Sequence, residues 1–394
     1  MKKRIISITV VFALLSAALT AALATPESPR FADVPETAWY HDSVVFAAER
    51  GFFEERGDGL FDPGGTLTLR DAAAIAERLN PEFKPETAID ETQPAARAAF
   101  AEYLYRALGD GALEPINEIS DNAVRDVHSS DEYRDAVYAL YRSGVLTGSD
   151  KYGRFFPERT LTRAEAAVLI HRALEPDLRR YVTFPESLAA EDIFEICRGS
   201  AFTIETYDKN GRFIRSGSGF FVSPDGLAGT CFHVLAGAYS AEVTVSGGAK
   251  YKVAGVAAYD AETNAALLSI EGDGFNWLPV ADSDELKTGA TAYSLGSPLG
   301  LDGTLSKGII AYVGREVEGQ KMLQFTSNIS QGSGGGALLD AAGRVIGITS
   351  SSYTAGETLN LAVMSNRLTE LEPGRVMTLT AVARAAESAA GNAG

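Results

Sequence analysis

The sequence is poor in the residues from which metal sites and covalent scaffolds are built. Two cysteines in 394 residues exclude a disulfide-rich scaffold and a cysteine-based zinc site. The four histidines lie too far apart in the sequence for a histidine-rich metal cluster: His41, His128, His171 and His233. No D-x-D-x-D-G string is present, which argues against a calcium-binding loop. We therefore expect neither a bound metal nor a cofactor.

Basic residues are also scarce, with 35 Lys and Arg against 52 Asp and Glu and a net charge of −17. Nucleic-acid binding needs clustered positive charge, so this balance argues against DNA or RNA as a partner. Hydrophobic residues make up 45% of the chain and charged residues 22%, which excludes wholesale disorder. At about 100–200 residues per domain, the length predicts two or three domains.

The first residues have the pattern of an export signal. Lys2, Lys3 and Arg4 precede an apolar run over residues 5–19, and Ala-Leu-Ala at 22–24 fits a signal-peptidase site. We expect residues 1–24 to be a cleaved signal peptide and the protein to be secreted. The alternative is an uncleaved anchor over residues 5–24, which is just long enough to span a bilayer.

An oxidising exterior would allow Cys197 and Cys231 to form a disulfide, and the alternative is that both are small buried hydrophobic residues.

Residues 31–79 and 126–174 are imperfect copies of one helical unit. Each copy has a first helix with apolar residues at helical spacing, a Gly-containing turn, a Phe-x-Pro step and a Thr-Leu-Thr start to a second helix. Residues 94–108 are interpreted as the second helix of a shortened middle copy. Threonine N-caps with an acid at capping-box spacing are predicted at Thr68 with Asp71 and at Thr162 with Glu165.

The pattern over residues 31–174, with Thr-Arg-Ala-Glu at 162–165, resembles the S-layer homology (SLH) family, whose repeats bind secondary cell-wall polysaccharide. The resemblance implies an all-α, three-pronged bundle that holds polymer between repeats. Only the last copy keeps the full signature, because Leu69 stands at the arginine position of the first copy and Ala99 at the glutamate position of the middle copy. The residues carried over as polymer ligands are Arg163, Glu165, Arg97 and Trp39. The alternative is that these helices only pack on the following domain.

From about residue 201 the pattern changes to alternation and short apolar runs with frequent turn signals, which predicts an all-β domain of antiparallel sheets. The predicted strands are 201–207, 217–222, 241–245, 265–270, 291–294 and 344–350.

Four strings in this half, at 217–238, 259–272, 278–311 and 325–350, resemble the trypsin-like serine proteases of the bacterial Htr/Deg branch. The resemblance implies a double β-barrel with the active site between the barrels, and no PDZ-like region follows it. The expected organisation is a signal peptide at 1–24, SLH repeats at 25–108 and 109–178, a protease domain at 184–372 and a tail at 373–394.

The resemblance places the catalytic residues, and two of them depart from the family. Such a protease needs a Ser nucleophile, a His base, a carboxylate that orients the His, and backbone donors for the oxyanion. His233 fits the histidine position, but Asn264 stands where the aspartate belongs and Gly334 where the serine belongs. Ser333 becomes the nucleophile only if the loop slides by one residue. The residues expected to line the oxyanion site and cleft are Gly332, Gly335, Ser350, Ser351 and Ser352.

These features lead to three hypotheses. The first is an exported, cell-wall-associated protein whose trypsin-like domain is catalytically impaired and binds extended peptides along its strand edges. The second is an active serine endopeptidase that uses His233 and Ser333, with Asn264 or a water orienting the ring. The third is a structural S-layer or envelope protein in which the barrels are a spacer. The expected partners are secondary cell-wall polysaccharide and a peptide or protein ligand.

Overall fold

The computed structural model describes residues 31–391 except 54–55, 57–58, 86–89, 91, 110, 298–302, 331 and 355–357. The predicted signal peptide at 1–24 lies outside the described residues, as do the side chains of Ser351 and Ser352. None of the helices within the described part has both the length and the apolar character that crossing a membrane requires. Contacts divide the chain into two compact units, residues 1–113 with 159–179 and residues 114–158 with 180–394.

The described helices are α1 (His41–Glu49), α2 (Leu69–Leu79), α3 (Arg97–Leu108), α4 (Arg134–Arg142), α5 (Arg163–Leu174), α6 (Ala190–Cys197), α7 (Phe232–Leu235), α8 (Asn366–Thr369) and α9 (Leu379–Gly391). The described strands are β1 (Ala201–Tyr207), β2 (Phe213–Phe221), β3 (Leu227–Cys231), β4 (Ser240–Val245), β5 (Lys250–Asp260), β6 (Ala265–Ile270), β7 (Thr291–Gly296), β8 (Thr304–Val317), β9 (Gln320–Phe325), β10 (Ala337–Leu339), β11 (Val345–Thr354) and β12 (Thr358–Met364).

In the first unit, the segments that start α2, α3 and α5 are joined by a closed triangle of backbone hydrogen bonds. The Leu67 N–H donates to the Leu161 carbonyl at 2.8 Å, Leu161 donates to Ala95 at 3.2 Å, and Ala95 donates to Leu67 at 2.8 Å. All three side chains are buried. Residues 94–108 were interpreted as the second helix of a shortened middle copy, and α3 lies within them. The backbone just before α3 completes the triangle.

Both predicted capping boxes are present, at Thr68 with Asp71 and at Thr162 with Glu165. Burial by itself raises the pKa of Glu165, but the Thr162 N–H and the positive charges of Arg159 and Arg97 lower it on balance. The Glu165 carboxylate is therefore already engaged within the unit.

Arg163, expected to reach a bound polymer, is instead used inside the first unit. Its side chain is only 2% exposed, its Nε donates to the Phe61 carbonyl at 2.8 Å, and its guanidinium lies against the rings of Phe53 and Phe61. Arg97 is also buried. Of the four expected polymer ligands, Trp39 is the one that faces solvent, with 70% of its surface exposed.

The second unit contains two closed six-stranded barrels, with strand orders β1-β2-β3-β6-β5-β4 and β10-β11-β12-β9-β8-β7. This confirms the prediction of a trypsin-like double barrel, and β1 and β6 occupy the predicted residues. A hydrophobic core containing residues of both barrels runs through the unit, from Phe202 and Leu268 to Leu295 and Leu339.

Cys197 and Cys231 are both free and buried. They act as small hydrophobic residues of the core, and no disulfide joins them.

Candidate active site

The fold places His233 and Asn264 side by side at the ends of two paired strands. Cys231, the last residue of β3, pairs with Ala265, the first residue of β6, so the residues just beyond each strand become neighbours. The Phe232 N–H donates to the Asn264 carbonyl at 3.1 Å and holds the two segments together. Asn264 has a φ of +60°, a left-handed conformation that Asn accepts more readily than most residues.

The Asn264 amide lies against the ring of His233 through both of its polar atoms. The backbone N–H of His233 donates to Asn264 Oδ1 at 2.9 Å. Asn264 Nδ2 lies 3.0 Å from His233 Nδ1 and 3.3 Å from Ser350 Oγ, while Oδ1 lies 3.2 Å from the same Nδ1. The amide can therefore accept from Nδ1 through Oδ1 or donate to it through Nδ2, and, unlike a carboxylate, it does not fix the ring proton on Nδ1.

An amide in place of the carboxylate changes what His233 can do. In the tautomer with its proton on Nε2, the ring donates a hydrogen bond there and cannot accept a proton from a nucleophile at that atom, and an amide does not exclude this tautomer. Although His233 is exposed at the surface, partial desolvation of its ring lowers the pKa of His233, and the charge of Arg215 lowers it further, against the opposing effect of the Asn264 hydrogen bond. Arg215 itself donates to the His233 carbonyl at 2.6 Å. The ring is therefore neutral near pH 7.

Gly334 occupies the position that faces the ring of His233. An ideal Cβ added at Gly334 would lie 3.5 Å from His233 Nε2 and 3.4 Å from the Ser350 carbonyl oxygen, both ordinary contacts. The φ of Gly334 is not left-handed, so the backbone accepts a side chain here. The position where a nucleophile is expected is thus correctly placed but carries no side chain.

Ser333, the alternative nucleophile, directs its hydroxyl into its own loop. The side chain is 7% exposed, and its Oγ lies 3.2 Å from the Ser330 N–H and 3.3 Å from the Ser330 Oγ. Within the described part of the chain, Ser333 makes no hydrogen bond to His233. The structure therefore does not bring Ser333 and His233 together.

The glycines expected to line the oxyanion site differ in the hydrogen bonds that their N–H groups make. Over the described residues, the N–H groups of Gly332 and Gly334 donate to no acceptor. Gly335 differs from the expectation because its N–H donates to the Thr349 carbonyl at 2.6 Å. Gly335 has a φ of +91°, and a Cβ there would come within 2.3 Å of the Ser218 carbonyl oxygen. Gly335 therefore shapes the loop and is not a free donor.

A strand edge leads to this loop. β10 pairs with β11 as far as Ala337 with Ile348, and Thr349 is still bonded on that side, because its N–H donates to the Gly336 carbonyl at 2.8 Å and its carbonyl accepts from the Gly335 N–H at 2.6 Å. The open edge of β11 therefore begins at Ser350. On its other side, the register of β11 against β12 shifts between Thr349 and Ser352, as at a β-bulge. Among the described residues, a stretch of β11 backbone without a strand partner on this side thus lies next to Gly334.

Two contributors to the site were missed in the sequence. Arg215 supports His233, and the Ser218 Oγ donates to the Gly332 carbonyl at 2.9 Å. Both lie on β2, far from their partners along the chain, and no local pattern of residues marks such contacts.

Comparison with known protein families agrees with the helical repeats and the double barrel described above. Residues 217–348 match the trypsin-like peptidase domain family, and residues 30–73 and 125–167 match the S-layer homology domain family. The chain contains S-layer homology repeats and a trypsin-like peptidase domain. The match to the second repeat includes α4 and the start of α5.

The trypsin-like domain is similar to curated proteases of the DegP and HtrA type. It is 38% identical over 141 residues to a probable periplasmic serine endoprotease DegP-like of Marinomonas sp. (strain MWYL1), covering 35% of this chain and 30% of the relative. It is 35% identical over 157 residues to the putative serine protease HhoB of Synechocystis sp., covering 38% of this chain and 37% of the relative. The chain therefore spans about a third of the length of these relatives.

Among solved structures, the HtrA-type protease AlgW with tripeptide is 26% identical with a TM-score of 0.43, covering 46% of this chain and 62% of that one.

Proposed function

We propose that this protein is located in the cell envelope and that its trypsin-like domain binds extended peptides without cleaving them. The SLH repeats and the periplasmic relatives support the location. The observation that carries the proposal is Gly334, which faces His233 Nε2 but has no side chain to act as nucleophile. Asn264 adds to this, because an amide does not hold the ring proton of His233 on Nδ1 as a carboxylate does.

Peptide binding is the function that remains for such a site. The edge of β11 beside Gly334 provides main-chain donors and acceptors, and backbone pairing with a strand edge requires no catalytic residue. Contact with wall polymer would begin at exposed aromatic side chains such as Trp39, since Arg163 and Arg97 are buried.

The test combines covalent labelling with peptide binding. The purified protein and its Ser333→Ala variant are exposed to a fluorophosphonate probe, and intact mass reports labelling. We expect no labelling of either protein, together with saturable binding of fluorescein-labelled peptides measured by anisotropy. Labelling of the native chain that disappears in Ser333→Ala would overturn the proposal in favour of an active endopeptidase.

Localisation is tested separately by sedimentation of the full chain with isolated cell walls. We expect co-sedimentation, and we expect Trp39→Ala to weaken it while Leu178→Ala, a change at another exposed hydrophobic residue, has little effect. Equal loss in both variants, or none in either, would remove Trp39 from the polymer contact.

A further inference from the structure

The absence of a side chain at Gly334 leaves a hollow beside the ring of His233. We define the Gly334 hollow as the space beside the Gly334 Cα that a side chain would fill, bounded by His233 Nε2 and the Ser350 carbonyl. His233 presents an N–H at Nε2 when the ring is protonated, and the Gly334 N–H, on the same residue as the hollow, has no acceptor among the described residues. The Gly332 N–H, two residues earlier in the loop, is also without an acceptor there.

The electrostatics around the Gly334 hollow favour an anion. The family's aspartate is replaced by the neutral Asn264, so no carboxylate lies against His233 among the described residues. The charged side chain that acts on the ring within that part of the chain is Arg215, which is positive. Asp260, an acid on the same segment, accepts hydrogen bonds from the N–H groups of Glu262 and Thr263 in its own loop.

We propose that the Gly334 hollow binds the free C-terminal carboxylate of a peptide, an inference that rests on the peptide binding proposed above. A peptide that pairs with the open edge of β11 lies next to Gly334. A chain that continues past this point presents a neutral carbonyl to the donors, whereas a chain that ends there presents two oxygens and a negative charge. Charge-assisted hydrogen bonds from N–H groups are roughly twice as strong as neutral ones.

A serine at position 334 would work against this binding. Its side chain would occupy the Gly334 hollow within reach of His233 Nε2, at the place where one carboxylate oxygen must lie. Loss of the nucleophile therefore does more than remove activity, because it opens a receptor for the end of a cleaved chain.

The experiment compares two matched pools of N-acetylated, fluorescein-labelled hexapeptides, one with free C-terminal acids and one with C-terminal amides. Anisotropy with the full chain is expected to show affinity at least about tenfold higher for the acid pool, the lower end expected for one hydrogen bond to a charged group. Gly334→Ala and Gly334→Ser, which fill the hollow, are expected to remove this preference. Gly374→Ala is the matched control, because Gly374 has an ordinary φ and nothing lies within 4 Å of an added Cβ.

The pH dependence gives a second readout. A bound carboxylate favours protonation of His233, so affinity for the acid pool is expected to rise as pH falls from 8 to 5.5, by at most about tenfold per pH unit. The amide pool is expected to show no such rise.

The possible results separate the two proposals. Equal affinity for both pools would overturn the carboxylate inference and leave peptide binding intact, whereas failure of both pools to bind would overturn peptide binding itself. An acid preference that persists in a folded Gly334→Ala protein would place the carboxylate elsewhere and refute the hollow as its site.

Discussion

Replacing Gly334 with serine tests whether the site lacks only a nucleophile or also the geometry that a nucleophile needs. The Cβ of the new residue would lie 3.5 Å from His233 Nε2, which brings the hydroxyl within the hydrogen-bond reach that a nucleophile and its base require, about 2.6–3.2 Å. We expect Gly334→Ser to become labelled by a fluorophosphonate while the native chain does not.

Gly334→Ser alone is expected to hydrolyse peptides poorly, because the Asn264 amide does not hold the ring proton of His233 on Nδ1 as a carboxylate does. In a trypsin-like triad the change from Asp to Asn lowers turnover about 10⁴-fold. Adding Asn264→Asp to Gly334→Ser is therefore expected to raise hydrolysis of a fluorogenic casein substrate by about that factor. The double variant is the restored triad, and the single Asn264→Asp variant serves as its inactive control.

The free energy of unfolding shows whether the variants at this loop remain folded. Because an added Cβ at Gly334 makes only ordinary contacts, the free energy of unfolding of Gly334→Ser is expected to change by less than about 1 kcal/mol in urea titrations. Gly335→Ser, one residue away, meets the Ser218 carbonyl at 2.3 Å with a φ of +91° and is expected to lose more than about 2 kcal/mol. A folded double variant that is neither labelled nor active would refute our assignment of the nucleophile position.

Three further expectations concern groups outside the loop or the state of its histidine. Arg163→Met is expected to destabilise the first unit by about 2–4 kcal/mol in thermal unfolding, because it leaves the buried Phe61 carbonyl without its donor. A measured loss below about 0.5 kcal/mol would contradict a stabilising role for the Arg163 hydrogen bond. His233 is expected to titrate below its ordinary pKa of 6.5 in NMR spectra, mainly because its ring is partly desolvated by neighbouring groups. Since the unfolded chain then takes up the proton first, this group's contribution to stability falls as pH drops through about 6.5. Burial raises the pKa of Cys197 and of Cys231 to about 12, so a disulfide thiol reagent at pH 8 should label neither in the folded protein and both after denaturation.

Much of the β half could be predicted because its signals are local. β1 and β6 coincide with the predicted strands, since alternation and turn residues lie within a few positions of each other. β7 and β11 extend beyond their predicted ends by two and four residues. The long strands β5 and β8 were not predicted. Glycines and exposed residues interrupt their pattern, and only pairing with neighbouring strands defines them.

In the helical half, the sequence predicted separate elements but not the contacts that join them. The Thr-Leu-Thr starts and their capping boxes are visible in the sequence, but the backbone triangle that joins them connects residues far apart in the chain. Arg163 illustrates the consequence. A basic residue in a family signature was interpreted as a ligand for polymer, whereas the fold places it against the Phe61 carbonyl and away from solvent.

By itself, the sequence determined the identity of the groups at the active site: a histidine, an amide in place of the carboxylate, and a glycine in place of the serine. Those are properties of single positions, and no fold can supply a hydroxyl that the chain does not carry at Gly334. Only the tertiary structure decided that the Ser333 hydroxyl is directed toward Ser330, that the Asn264 amide lies against His233 Nδ1, and that an open strand edge ends beside the Gly334 hollow. The first depends on the backbone conformation of the loop, and the other two depend on contacts between segments far apart in the chain, which the order of residues does not reveal.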